Sequence, residues 1–100
     1  MQKSKEIAIY QKIIKKFGKE AQMIVAIEEC SELQKAITKL LRGYDYITAL
    51  SEEIADVEIM IEQLKIMFKN KKQVDEFIKF RLQRMEQLLR SWNKNENQNK

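Results

Sequence analysis

The chain contains no proline, and its only two glycines, Gly18 and Gly43, each fall where an apolar periodicity stops. A sheet with tight turns needs residues that fix φ or accept a positive one, and this sequence almost lacks them. What it has instead is apolar residues recurring every three to four positions, which predicts an all-α protein of about four helices. The first covers residues 3–17, with Ile7, Tyr10, Ile13, Ile14 and Phe17 on one face, and Gly18 follows it. The second covers residues 20–42 and stops at Gly43. After the connection YDYIT, with Asp45 or Thr48 as N-cap, the third covers residues 49–68. The polar cluster KNKKQ then breaks the pattern, and Asp75 and Glu76 open a fourth helix that ends near Trp92. The polar residues 94–100 have nothing apolar to anchor them and are expected to be a disordered tail, leaving residues 1–93 as a single helical domain.

A hundred residues suffice for one core, but near this size helical chains often complete the core by self-association. No apolar run approaches the roughly 18 residues of a membrane span, and the start MQKSKEIAIY lacks a signal peptide's apolar region. The expectation is a soluble, cytoplasmic protein. With no histidine and the single cysteine Cys30, read as a small packing residue, disulfide frameworks, thiolate or imidazole zinc sites and histidine-dependent triads are excluded. The net charge of +4 is spread without a long basic run, which suits phosphate-bearing partners better than duplex DNA.

Charges inside the apolar stripes carry the functional signal. At about 100° per residue, Val25, Leu33, Ala36 and Leu40 all fall within about 40° of Glu29, and Glu32 lies about 60° away. On the third helix Val57, Met60 and Leu64 surround Glu53 in the same way, with Asp56 at the margin. On the fourth, Val74, Phe77, Met85, Leu88 and Trp92 surround Arg81, with Arg84 at the margin. Buried carboxylates without compensation cost several kcal/mol or more, so a cation must sit among them. Arg81 and Arg84 can supply it as a buried salt-bridge network, in which case the chain is a non-catalytic helical interaction module. Alternatively a divalent ion supplies it. Two i, i+3 acid pairs on antiparallel neighbours present four carboxylates to one spot. Oxygen ligands alone favour Mg²⁺ or Mn²⁺, which readily take phosphate oxygens, and the arginines then act as a phosphate clamp. Placing Arg81 and Arg84 within a stripe argues against a nucleic-acid surface.

Glu29-Cys-Ser-Glu32, followed after twenty residues by Glu53-Ile-Ala-Asp56, in the contexts IEECSELQKAITKLLRG and LSEEIADVEIMIEQL, resembles the ExxE…ExxD signature of MazG-like nucleoside triphosphate pyrophosphohydrolases. The likeness runs from about Ile24 to Leu89. It implies an antiparallel helical bundle, completed as a homodimer or homotetramer, that converts a (d)NTP to the monophosphate and pyrophosphate with Mg²⁺. It makes Glu29, Glu32, Glu53 and Asp56 the metal ligands. Glu28 then orients or deprotonates the attacking water, serves as an outer ligand, or is simply a solvated helix residue. FIKFRLQRMEQL resembles the basic stretch after the acidic motifs, with Arg81 where lysine is frequent and Gln83 where asparagine is often seen. Arg81 and Arg84 become phosphate contacts, and Lys39, two turns after Glu32, is a further one. Tyr44 and Tyr46 either stack on a base or cover the core. If four acids await a cation, the metal-free protein should be the less stable form.

Overall fold

In the computed structural model, which describes residues 1–98, the chain forms α1 (Lys3–Phe17), α2 (Lys19–Leu41), α3 (Ile47–Phe68) and α4 (Lys71–Gln98), with no strand among the described residues. The protein is all-α. No described helix is long and apolar enough to cross a membrane. The chain divides into two compact units, Met1–Lys69 and Asn70–Lys100.

In the first unit α2 and α3 make the main contact and α1 lies against both. Gly18 joins α1 to α2 alone: its N–H donates to the Ile14 carbonyl at 2.8 Å and its own carbonyl accepts from Gln22 N–H at 3.2 Å. It does so at φ 93° and ψ 155°, a conformation essentially reserved for glycine. A Cβ there would meet nothing within 4 Å, so backbone strain, not space, selects the residue.

α2 ends in a Schellman motif. Tyr44 N–H donates to the Lys39 carbonyl at 3.1 Å, Gly43 N–H to the Leu40 carbonyl at 3.0 Å, and Gly43 takes φ 92°. α3 starts at Ile47, ahead of Thr48, with Tyr46 at the N-cap and no side-chain cap; neither Asp45 nor Thr48 fills that role. It ends at Lys69, held in the left-handed region at φ 51°.

The α2–α3 interface is thin. Its buried apolar residues are Ala26, Ala36, Met60 and Met67, and the polar side chains Gln22 and Gln63 are buried with them. Val25, Leu33, Leu40, Val57 and Leu64, expected on the inner stripes, are half-buried. α2 also carries apolar residues that face outward, with Ile27 69% and Leu41 83% exposed. Cys30 is exposed and not packed inside. It lies about 100° around the helix from Glu29, off the inner stripe.

The second unit is α4. It begins before Asp75 and Glu76 because Asn70 already accepts the Val74 N–H at 2.9 Å and Lys71 reaches Asp75 at 2.6 Å. Asp75 therefore works inside the first turns, not as the start signal it resembles. With no proline or glycine to stop it, the helix passes Trp92 and takes residues 94–98 of the expected tail with it. The remaining tail positions, 99 and 100, lie outside the described residues. Of the apolar stripe of α4, Phe77, Met85, Leu88 and Trp92 are exposed and Val74 is half-buried.

Candidate metal centre

Three of the acids picked out by the ExxE…ExxD pattern converge. Glu29 on α2 and Glu53 and Asp56 on α3 each offer a carboxylate oxygen, all within 4.8 Å of one another. Glu29 and Glu53 are half-buried and Asp56 is exposed. The pairing follows from helix geometry: Glu53 and Asp56 are one turn apart on α3 and so face the same neighbour, while Glu29 lies mid-stripe on the α2 face that meets α3.

The electrostatics of Glu29 and Glu53 are those of a site short of positive charge. Loss of hydration is the first cause raising the Glu29 carboxyl above the ordinary range. The charges of Asp56 and Glu53, a hydrogen bond with the Asp56 carboxyl, and the charge of Glu32 follow. Glu53 is raised by desolvation first, then by Asp56, Glu32 and Glu52. Glu53 Oε2 is buried and has no hydrogen-bond partner. A buried oxygen of this kind carries a desolvation penalty that nothing offsets.

Glu32, the fourth expected ligand, is not in the cluster. Its carboxylate accepts from Lys35 Nζ at 3.2 Å on an exposed face. Such exposed pairs contribute about 0–1 kcal/mol, so little holds the side chain there. Glu28 is exposed on α2. Lys39 is directed elsewhere, with its Nζ 5.1 Å from the centre of the Tyr44 ring. Tyr44 and Tyr46 are both exposed at the α2–α3 connection and do not cover a core. Arg81 and Arg84 are exposed on α4, in the second unit.

The donor set fits a small hard cation. With bonds of about 2.1 Å in octahedral geometry, neighbouring oxygens around Mg²⁺ stand about 3.0 Å apart, so three carboxylates whose oxygens lie within 4.8 Å of one another would draw closer around the ion. Three carboxylates with no nitrogen or sulfur donor suit Mg²⁺ or Mn²⁺.

Sequence reasoning missed Gln22 and Gln63, whose side chains meet in the interface: Gln22 Nε2 donates to Gln63 Oε1 at 2.7 Å. Their one visible signal is spacing, since Gln22 precedes Glu29 by seven residues and Gln63 follows Asp56 by seven.

Compared with family models, curated proteins and solved structures, the chain matches none of them.

Proposed function

We propose that the protein is a Mg²⁺-dependent nucleoside triphosphate pyrophosphohydrolase of the MazG-like kind. The observation that carries this reading is the convergence of Glu29, Glu53 and Asp56 around a buried, unpartnered Glu53 oxygen. Four helices with ExxE on one and ExxD on its antiparallel neighbour support it as well.

Glu29, Glu53 and Asp56 would hold the cation, with Glu32 joining them by leaving Lys35. The cation, when bound, supplies charge neutralisation for phosphate oxygens and acidifies water. Glu28, exposed one residue before Glu29, orients or deprotonates the water that attacks the α-phosphorus. The new bond joins that water's oxygen to the α-phosphorus. The bond from the α-phosphorus to the oxygen it shares with the β-phosphorus breaks, and pyrophosphate leaves with the electron pair. Arg81 and Arg84 are the phosphate-binding candidates by chemistry, because a guanidinium matches phosphate oxygens bidentately. Lys39 can contribute only after leaving Tyr44. Such an enzyme works in the cytoplasm, where nucleotides and Mg²⁺ are found. The outward apolar residues of α2 and α4 favour a homodimer or homotetramer.

The helical-module reading relies on a buried salt-bridge network in which Arg81 and Arg84 neutralise the acids, and both arginines are exposed on α4. Within residues 1–69 the ion pairs of the described residues are Lys35–Glu32 and Lys65–Glu62, both local to one helix, and neither involves the three clustered carboxylates.

The decisive experiment is pyrophosphate release from a panel of NTPs and dNTPs with Mg²⁺, Mn²⁺ or EDTA. Release that needs metal and is lost in Glu53→Gln is the expected result, with Arg84→Ala raising KM or lowering kcat. Silence across the panel, with no Mg²⁺ effect on the melting temperature, would overturn the proposal in favour of the helical module.

A further inference from the structure

We infer that the buried Gln22–Gln63 pair is the register key of the α2–α3 interface, and that both glutamines are positioning residues for the carboxylate cluster. This rests on reading Glu29, Glu53 and Asp56 as a cation site.

Gln22 and Gln63 are 7% and 4% exposed and joined by a 2.7 Å hydrogen bond, so two polar side chains have been taken into an interface that otherwise buries alanine and methionine. Seven residues on from Gln22 is Glu29, and seven residues back from Gln63 is Asp56. Seven residues are two helical turns, which return each helix to nearly the same face. The two contacts, amide to amide and carboxyl to carboxyl, are therefore the same pairing of antiparallel helices read two turns apart. A slip that separated the glutamines would separate Glu29 from Asp56 by the same distance.

No other fully buried residue of the interface does this work, and the half-buried Val25, Leu33, Leu40, Val57 and Leu64 have no side-chain hydrogen bond for a slip to break. Ala26 and Met60 lie between the two polar layers, and Ala36 and Met67 beyond them. An alanine offers no side chain to interlock, and a methionine re-forms its contacts after a shift. Where the carboxylates are charged they repel one another, so before a cation arrives the cluster does not by itself hold this register. The amide pair resists the slip, because both groups would be left buried and unsatisfied. Replacing both partners by apolar side chains of similar shape removes that resistance with little loss of stability. A buried polar pair that selects register more than it stabilises is a known use of such residues in helical assemblies.

The test is the double substitution Gln22→Met with Gln63→Met, which keeps side-chain length and volume in an interface already built on methionine. Three properties would be measured: the melting temperature, Mn²⁺ binding by calorimetry, and the distance between spin labels at Gln34→Cys and Glu58→Cys in a Cys30→Ser background. The expected result is an unchanged or higher melting temperature. Mn²⁺ affinity should fall about tenfold or more. The label distance should change from one narrow population to a broadened distribution shifted by about 5 Å, one helical turn. A double variant with parental affinity and a parental distance would overturn the inference. So would one that no longer folds, since the pair would then be supplying stability and not register. Parental protein that takes up no Mn²⁺ would sink the cation reading alone, and the label distances would still decide the register.

Discussion

Glu29 and Glu53 are held above the usual carboxylate range by lost hydration first and by the charge of Asp56 second. In the unfolded chain both return to the ordinary value of 4.5. Below that pH both states carry the protons and the cluster costs nothing. As pH rises between the unfolded and the raised folded values, the unfolded chain releases its protons first and becomes favoured. In EDTA the protein should therefore lose stability from about pH 4.5 upward, and Glu29→Gln should remove part of that loss. At neutral pH the variant should be the more stable protein. Saturating Mg²⁺ should reverse the order, adding about 2.7 kcal/mol to the parent at a hundred times Kd and much less to the variant. Urea denaturation from pH 4 to 8, with and without Mg²⁺, checks both signs. The clustered acids were legible because each interrupts an apolar stripe. The turn of Glu32 toward Lys35 was not, because a side-chain rotamer on an exposed face leaves no trace in a periodic pattern.

The helices differ in how plainly they were written. α1, α2 and α3 end within a residue of their expected limits, because Gly18 and Gly43 stop two of them and KNKKQ stops the third. α4 was misjudged at both ends. Its acids looked like a first turn but lie inside the helix, and its polar end looked uncoiled although no breaker is present. The same junctions set the expected costs of mutation. Gly18→Ala forces a Cβ into a conformation that excludes it and should destabilise by about 1–3 kcal/mol. Lys69→Gly relieves a non-glycine residue at φ 51° and should stabilise by up to about 1 kcal/mol. Opposite shifts of the urea midpoint in the two variants are the expected outcome; equal shifts would contradict this account of the joints.

At the scale of the whole molecule, the sequence announced the class and the inner stripes of α2 and α3 but not which polar residues were inside, and on α1 the expected face is only partly covered, with Ile7 and Phe17 exposed. Glutamine within a stripe is indistinguishable from glutamine at its edge until the facing helix is known. The outer apolar residues of α2 were missed for a related reason: once the stripe around Glu29 had been chosen, Ile27 and Leu41 fell on its far side. Their exposure makes association testable. Sedimentation should give a multiple of the 12.0 kDa chain mass and the parental melting temperature should rise with protein concentration, while Ile27→Lys should move the distribution toward the single chain and weaken that concentration dependence. A parental protein that runs as a single chain at all concentrations would leave those residues without a partner.

The interface built on Ala26, Ala36, Met60 and Met67 also sets how the first unit answers to temperature. Because few apolar groups leave water when α2 and α3 close, few return to it when they part, and the heat capacity of unfolding is correspondingly small. The stability curve of that unit is a shallow dome, so cooling strengthens it little and warming weakens it gradually over a broad transition.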